Sequence, residues 1–121
     1  MANEVIKFRI AVATSDGIVV NQHFGRADKF RIYDIHHDNS IDFKEERAID
    51  SVCQAGIHDN LKMKETVNCF ADCKYVLASR IGQGAINALE HSGINPMELP
   101  GVIEESIGRL IAYDEVQALL A

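Results

Sequence analysis

The first half of the chain contains apolar runs and alternating apolar and polar positions, separated by turn residues. Residues 5–15 form an apolar, β-rich run that predicts a central strand. Residues 29–38 and 41–49 alternate apolar with charged side chains around a turn sequence, which predicts a hairpin of half-buried strands. Residues 18–20 predict a further short strand, so β-structure dominates this half of the chain.

In the second half, apolar residues at helical spacing alternate with short apolar runs. The predicted elements are, in order, a helix at 61–72, a core strand at 74–80, a helix at 82–93, an edge strand at 94–100 and a helix at 101–121. Pro96 favours an edge position because it has no N–H for a central ladder. Gly108 and residues 112–114 are candidates for a bend or break in the final helix. The pattern predicts one α/β domain over residues 1–121.

The alternation of strands and helices also predicts where polar loops meet. Strands joined by a helix run parallel in a right-handed crossover, and ligands of such sheets bind beyond the carboxyl ends of the strands. One polar loop contains His23, a second contains Cys53 and His58, and a third spans residues 80–84. We expect these three loops to form one rim, although they are far apart in sequence.

Composition and charge narrow the class of partner. The chain has 121 residues, a formal net charge of −6 and a pI near 5.2, which is unlike a general nucleic-acid binder. An anion can bind only where local cations outweigh this global charge. No apolar run is long enough to span a bilayer and no signal-type segment opens the sequence, so we expect a cytoplasmic protein without a membrane partner. The three cysteines predict reduced thiols rather than a disulfide framework.

His23 is the first candidate metal ligand. Its imidazole suits iron, copper or zinc, Phe24 is placed to pack under the loop, and Gly25 lets the backbone approach a bulky ligand. The local sequence alone nevertheless favours an ordinary exposed loop histidine. Cys53 and His58 offer a thiolate and an imidazole in one loop, and here a ligand pair and a buried free cysteine are equally favoured.

Cations and glycines near the predicted rim suggest an anion site. Arg26, Lys29 and Arg80 are the candidate cations, with ordinary surface charge as the alternative interpretation. Gly82 and Gly84 open backbone N–H groups at a predicted helix N-terminus, a geometry that attracts anions.

No motif in the sequence predicts hydrolysis. There is no GxSxG segment, and the strand carboxylates Asp34 and Asp42 are not paired across a predicted cleft. A thiol protease built on Cys53 and His58 stays open, although their spacing suits metal binding better. Cys73 is interpreted as a small core residue, whereas the role of Cys69 stays open.

Several motifs together resemble a known family. "HFG" follows a short strand at residue 23, "DC" precedes a core strand at residue 72, and "RIGQGA" begins at residue 80. In this combination the chain resembles, over nearly its whole length, the dinitrogenase iron–molybdenum cofactor-binding family. That family includes NifX, the core of NafY and the carboxyl-terminal domain of NifB.

The resemblance implies a fold and a function. The implied fold is a single-domain, ribonuclease H-like, three-layer α/β structure with a mixed, about five-stranded sheet flanked by helices. The implied function is non-enzymatic carriage of iron–molybdenum cofactor or its iron–sulfur precursor between donor and acceptor proteins of cofactor assembly. His23 matches the family's proposed cluster-contact histidine. The resemblance therefore also favours Cys53 and His58 as metal ligands, because they would share its rim. Alternatives are a molybdenum–copper sulfide cargo, a cluster-free regulatory or protein-interaction module and, more remotely, a nuclease.

Overall fold

The computed structural model describes residues 5–49 and 60–121, and all structural statements below concern those residues. The elements are β1 (Ile6–Ala13), β2 (Val19–Val20), β3 (Lys29–His36), β4 (Ile41–Ala48), α1 (Asn60–Asn68), β5 (Tyr75–Ala78), α2 (Gln83–His91), β6 (Asn95–Glu98), β7 (Gly101–Val102) and α3 (Ile103–Leu120). The predicted elements are therefore found in the predicted order, with β7 as an addition. Cys53 and His58 lie outside the described residues.

Five strands form a mixed sheet in the order β4-β3-β1-β5-β6, so the central position predicted for β1 is confirmed. The strands β1, β5 and β6 run parallel, and β3 is antiparallel to both β1 and β4. The β3–β4 pair is the predicted hairpin, and β6, which contains Pro96, lies at the edge. A second, two-stranded sheet pairs β2 with β7, so that Val19 lies opposite Val102.

Helices cover both faces of the large sheet. On one face α1 and α2 pack over a cluster that includes Phe24, Phe30 and Phe70. On the other face α3 packs with Ile103, Ile107 and Leu110 turned inward. Each fully buried side chain of this size contributes about 1.5–3 kcal/mol through removal from water. The result is a three-layer α/β arrangement with one apolar core on each side of the sheet.

The helix predicted to end at residue 72 ends at Asn68, and two further details differ from the sequence prediction. The last helix is continuous through Gly108 and Tyr113, because its buried face, from Ile103 to Ile111, holds both sides of the glycine against the sheet. A lone glycine costs a helix only about 1 kcal/mol, which that packing offsets. The strand β3 was predicted to be half-buried, but Ile32 and Tyr33, which face opposite layers, are both buried.

A network of charges ties the end of α1 to the sheet, and we call it the Asp72 clamp. Arg9 on β1 donates from Nε to Asp34 at 2.7 Å and from Nη1 to Asp72 at 2.9 Å. Arg47 on β4 donates from Nη1 and Nη2 to the two oxygens of Asp72 at 2.9 and 2.7 Å. These hydrogen bonds, from Arg47 first and Arg9 second, hold the pKa of Asp72 well below its usual range. Asp34, which the sequence left without a partner, is thus a buried structural anion.

We expect Asp72→Asn to destabilise the fold in a pH-dependent way. At pH 7 the loss should be about 1–2 kcal/mol in the free energy of unfolding, because the carboxylate is partly solvent-screened. The pKa of Asp72 is lower in the folded state than in the unfolded chain, where it is about 3.9, so its stabilisation is present above that value and is lost as the pH falls further. Urea unfolding at pH 7, 5 and 3 measures the difference.

A matched control for this experiment is Asp28→Asn. Asp28 is exposed, and within the described part of the chain its carboxylate forms no ion pair. Its substitution should change the unfolding free energy by less than about 0.5 kcal/mol at each pH. A loss for Asp72→Asn that is the same at pH 3 as at pH 7 would contradict the role of the clamp.

Candidate functional site

The loops that contain His23 and Arg80 are joined at the carboxyl edge of the sheet. His23 and Arg80 form an isolated parallel β-bridge. The N–H of Phe24 donates to the carbonyl of Arg80 at 2.9 Å, and the N–H of Ser79 donates to that of Gln22 at 3.0 Å. The structure thus brings two of the three predicted loops together, and we call the surface formed by His23, Arg26 and residues 80–84 the rim.

The turn that carries His23 is anchored from below. The carbonyl of His23 accepts the N–H groups of Arg26 and Ala27, both at 3.0 Å. Phe24 is 2% exposed, and its ring lies 5.7 Å from Phe30 and 6.1 Å from Phe70, centroid to centroid. The burial of Phe24 confirms the predicted packing under the loop, while its place in the predicted binding set stays a prediction. His23 itself is exposed.

The N-terminus of α2 forms the other side of the rim. Gly82 is its N-cap residue, and within the described chain no side chain caps the first turn. A Cβ placed on Gly82 or Gly84 would meet no heavy atom within 4 Å, so the space outside the helix end is open. The N–H groups of this first turn can therefore donate to an anion.

Glu98 holds the second loop in place. Its Oε2 atom accepts the N–H of Ile81 at 2.8 Å, and the N–H of the following residue, Leu99, donates to the carbonyl of Ala78 at 3.0 Å. Glu98 was not predicted from the sequence, because nothing near a single acidic residue at the end of an edge strand indicates which distant N–H group it accepts. The contact fixes the backbone between Arg80 and Gly82, where the rim needs a defined shape.

The rim carries cations that the rest of the described structure leaves unpaired. Arg26 and Arg80 are exposed, and among residues 5–49 and 60–121 neither side chain forms an ion pair. Arg9 and Arg47, in contrast, are both neutralised in the Asp72 clamp. On a chain with a net charge of −6, the rim is thus a local concentration of positive charge that can attract an anion.

The strand that precedes the third predicted loop, β4, ends at the same edge of the sheet. The N–H of Ile49, just after β4, donates to the carbonyl of Asp28 at 2.8 Å. Ile49 therefore lies close to the turn of His23, and Cys53 and His58 lie outside the described residues. In the parts of the chain that the structure describes, no three His, Cys, Asp or Glu side chains are grouped as a metal site.

The two other cysteines differ in character. Cys73 is 5% exposed, and burial raises the pKa of its thiol to about 12, so it is a protonated core residue at neutral pH. Cys69 is exposed, with its Sγ atom 3.4 Å from the carbonyl oxygen of Glu65. Neither lies in the loops of the rim.

Among the described helices, none has the length and apolar character needed to cross a membrane.

Comparison with known proteins identifies relatives of this chain. A family model described as "Dinitrogenase iron-molybdenum cofactor" matches residues 7–113, which include the HFG, DC and RIGQGA motifs. The chain is 36% identical over 104 residues to the FeMo cofactor biosynthesis protein NifB of Frankia alni, covering 84% of this chain and 20% of that protein. It is 33% identical over 106 residues to NifB of Herbaspirillum seropedicae, covering 86% and 19%. The chain thus spans about a fifth of the length of these relatives.

Solved structures share the fold. The crystal structure of the protein PH0822 aligns with a TM-score of 0.60 and 27% identity, covering 86% of this chain and 90% of that one. An NMR structure of a Thermotoga protein, provisionally assigned to NifB, aligns with a TM-score of 0.58 and 21% identity, covering 87% and 88%. The second likeness, at that identity, supports the fold alone.

Removing the carboxylate of Glu98 should loosen the rim. In Glu98→Ala the N–H of Ile81 loses its acceptor, and one such hydrogen bond contributes about 1 kcal/mol. Amide hydrogen exchange at Ile81, measured by NMR, should therefore accelerate by about fivefold, while Glu98→Gln, which keeps an acceptor oxygen, should exchange almost as slowly as the parent. Glu105→Ala, on the exposed side of α3, is the control. Equal exchange in all four proteins would exclude this role of Glu98.

Proposed function

The chain belongs to the dinitrogenase iron–molybdenum cofactor family, and from that membership and the geometry of the rim we propose that it binds and carries a metal–sulfur cluster. The cargo is a preassembled anionic cluster of the iron–molybdenum cofactor type or its iron–sulfur precursor. The observation that carries the proposal is that His23 and the guanidinium groups of Arg26 and Arg80, which form no ion pair among the described residues, lie on loops joined by a β-bridge.

Each group at the rim has a defined task in this proposal. The imidazole of His23 supplies a nitrogen ligand to a metal at the cluster surface. Arg26 and Arg80 offset negative charge and donate hydrogen bonds to sulfide groups of the cargo. The free N–H groups between Gly82 and Gly84 add donors without adding charge. Cys53 and His58 remain sequence-based candidates for further ligands.

We propose that the protein is a carrier without a catalytic step of its own. A carrier has to release its cargo, so a few exposed contacts serve it better than a closed cage of ligands. We assign the mixed sheet, with β3 antiparallel between β4 and β1, to the ribonuclease H-like class. Nuclease chemistry is not part of the proposal, because Asp34, the buried strand carboxylate, is already bonded to Arg9.

The proposal includes partners and a compartment. A carrier requires a donor protein that assembles the cluster and an acceptor that receives it, and we infer both from the biosynthetic role in the names of the NifB relatives. We place this exchange in the cytoplasm, where thiols such as the free Cys69 and Cys73 stay reduced.

The identity of the cargo is open to a direct test. Anaerobic reconstitution with isolated iron–molybdenum cofactor, with its iron–sulfur precursor, or with a molybdenum–copper sulfide distinguishes the candidates by metal analysis and visible spectrum. A protein that retains none of these clusters is a cluster-free interaction module, and the carrier proposal is then wrong.

We expect His23→Ala to weaken retention of isolated iron–molybdenum cofactor by at least about tenfold, since one metal–ligand bond contributes more than about 1.4 kcal/mol. Arg80→Gln should weaken it by about threefold to tenfold through loss of a charge-assisted donor. Retention is measured by anaerobic gel filtration followed by molybdenum and iron analysis of the protein fraction. Cys53→Ala is expected to weaken retention as well.

Matched controls separate the rim from general charge effects. His91→Ala removes an exposed imidazole at the other end of α2, and Arg109→Gln removes an exposed guanidinium on α3. Both should retain cluster as the parent does, and all variants should keep the parent melting temperature within about 2 °C. If the His23→Ala, Cys53→Ala double variant retains the cluster as well as the parent does, the cluster does not bind at the rim.

A further inference from the structure

A second concave surface lies on the α3 side of the sheet, away from α1 and α2. It has a volume of about 410 Å³ and lies between β3 and β4 on one side and the start of α3 on the other. Its border consists of four apolar side chains that are still exposed: Ile18 (63%), Ile41 (38%), Phe43 (45%) and Val102 (41%). We call this surface the α3 groove.

One cation, Arg31, lines the α3 groove and is held rigidly. Its Nε atom donates to the hydroxyl oxygen of Tyr33 at 3.0 Å, and its guanidinium carbon lies 4.0 Å from the ring centroid of Phe43. Gly17 packs on the other side, at a φ of +75°, and a Cβ there would lie 2.8 Å from Nη1 of Arg31. Three neighbours thus fix the guanidinium before anything binds to it.

This guanidinium forms no ion pair among the described residues, although Glu46 lies opposite Arg31 on β4. Arg9, Arg47 and Lys74, in contrast, each pair with at least one carboxylate. The nearby carboxylate of Asp16 already accepts the N–H groups of Ile18 and Val19 at 2.9 and 3.0 Å. A half-buried, preorganised guanidinium beside aromatic rings is complementary to a carboxylate.

We propose that the α3 groove binds an apolar segment of a partner protein that carries one carboxylate. The carboxylate pairs with Arg31, and an aliphatic or aromatic side chain next to it covers Ile18, Phe43 and Val102. A partner protein fits better than a small molecule, because small ligands are largely enclosed by their sites, whereas this groove leaves its apolar border in water. Glu104 also lines the groove and disfavours an acidic run. This inference does not depend on the cluster-carrier function.

The test uses two peptides and the full chain. The probes are the acetylated, amidated hexapeptide Ser-Leu-Phe-Glu-Leu-Ser and the same peptide with Gln in place of Glu, titrated by NMR. We expect saturable shifts of the amides of Gly17, Ile18, Phe43 and Val102, with the Glu peptide bound about threefold to tenfold more tightly than the Gln peptide. Arg31→Met, which keeps the apolar contact with Phe43, should abolish that preference, and Arg109→Met should preserve it.

Further experiments distinguish a partner protein from other ligands of the α3 groove. Ile18→Asp changes a largely exposed side chain and places a carboxylate at the groove, so it should fold normally and weaken binding of the Glu peptide. The proposal is overturned by the absence of saturable shifts, by equal affinity for both peptides, or by a preference that survives Arg31→Met. Binding of free 3-phenylpropionate as tight as that of the peptide, or self-association of the chain abolished by Ile18→Asp, would replace the partner protein with a small acid or a second copy.

Discussion

The parallel pairing of β1 with β5 is the contact on which the other features depend. Ile10, Ala11 and Val12 lie opposite Tyr75, Val76 and Leu77. Both strands are buried on both faces, so a helical layer is required on each side of the sheet. The same pairing places the carboxyl ends of both strands at one edge, about 4.8 Å apart. The bridge between His23 and Arg80 extends this pairing beyond the strands, and the rim follows from it.

Buried and partly buried charges fix the helical layers against that sheet. The Asp72 clamp holds the end of α1 to β1 and β4 on one face. On the other face Asp114 of α3 accepts the hydroxyl of Tyr75 at 2.6 Å and the ammonium of Lys74 at 2.8 Å. Both networks lie outside the rim and use cations other than Arg26 and Arg80. Within the described residues, the ion pairs that stabilise the fold are thus separate from the surface that carries Arg26 and Arg80.

Periodicity predicted the parts of this molecule that are decided locally. The alternation of apolar and polar residues predicted the β3–β4 hairpin, because it shows which face of each strand is buried. Pro96 predicted the edge strand, because it has no N–H group to donate to a second neighbouring strand. The contact between Arg9 and Asp72 joins residues 63 positions apart, so no periodic pattern in the sequence predicts it. For the same reason the support that Glu98 gives to Ile81 was missed, as was the pairing of β2 with β7. The strand-end rule predicted that the loops of His23 and Arg80 meet, and the burial of Phe24 beneath the turn agrees with its predicted packing under that loop.

The rim and the α3 groove are connected by a short stretch of chain. Gly17 and Ile18 line the groove, and β2 then leads directly to the turn of His23. A partner bound at the groove, as we propose, would therefore contact the same segment of chain that carries His23, the proposed cluster ligand. In the carrier function that we propose, binding has to be reversible, because a carrier releases its cargo. The exposed imidazole of His23, with the guanidinium groups of Arg26 and Arg80, is a set of contacts compatible with such release.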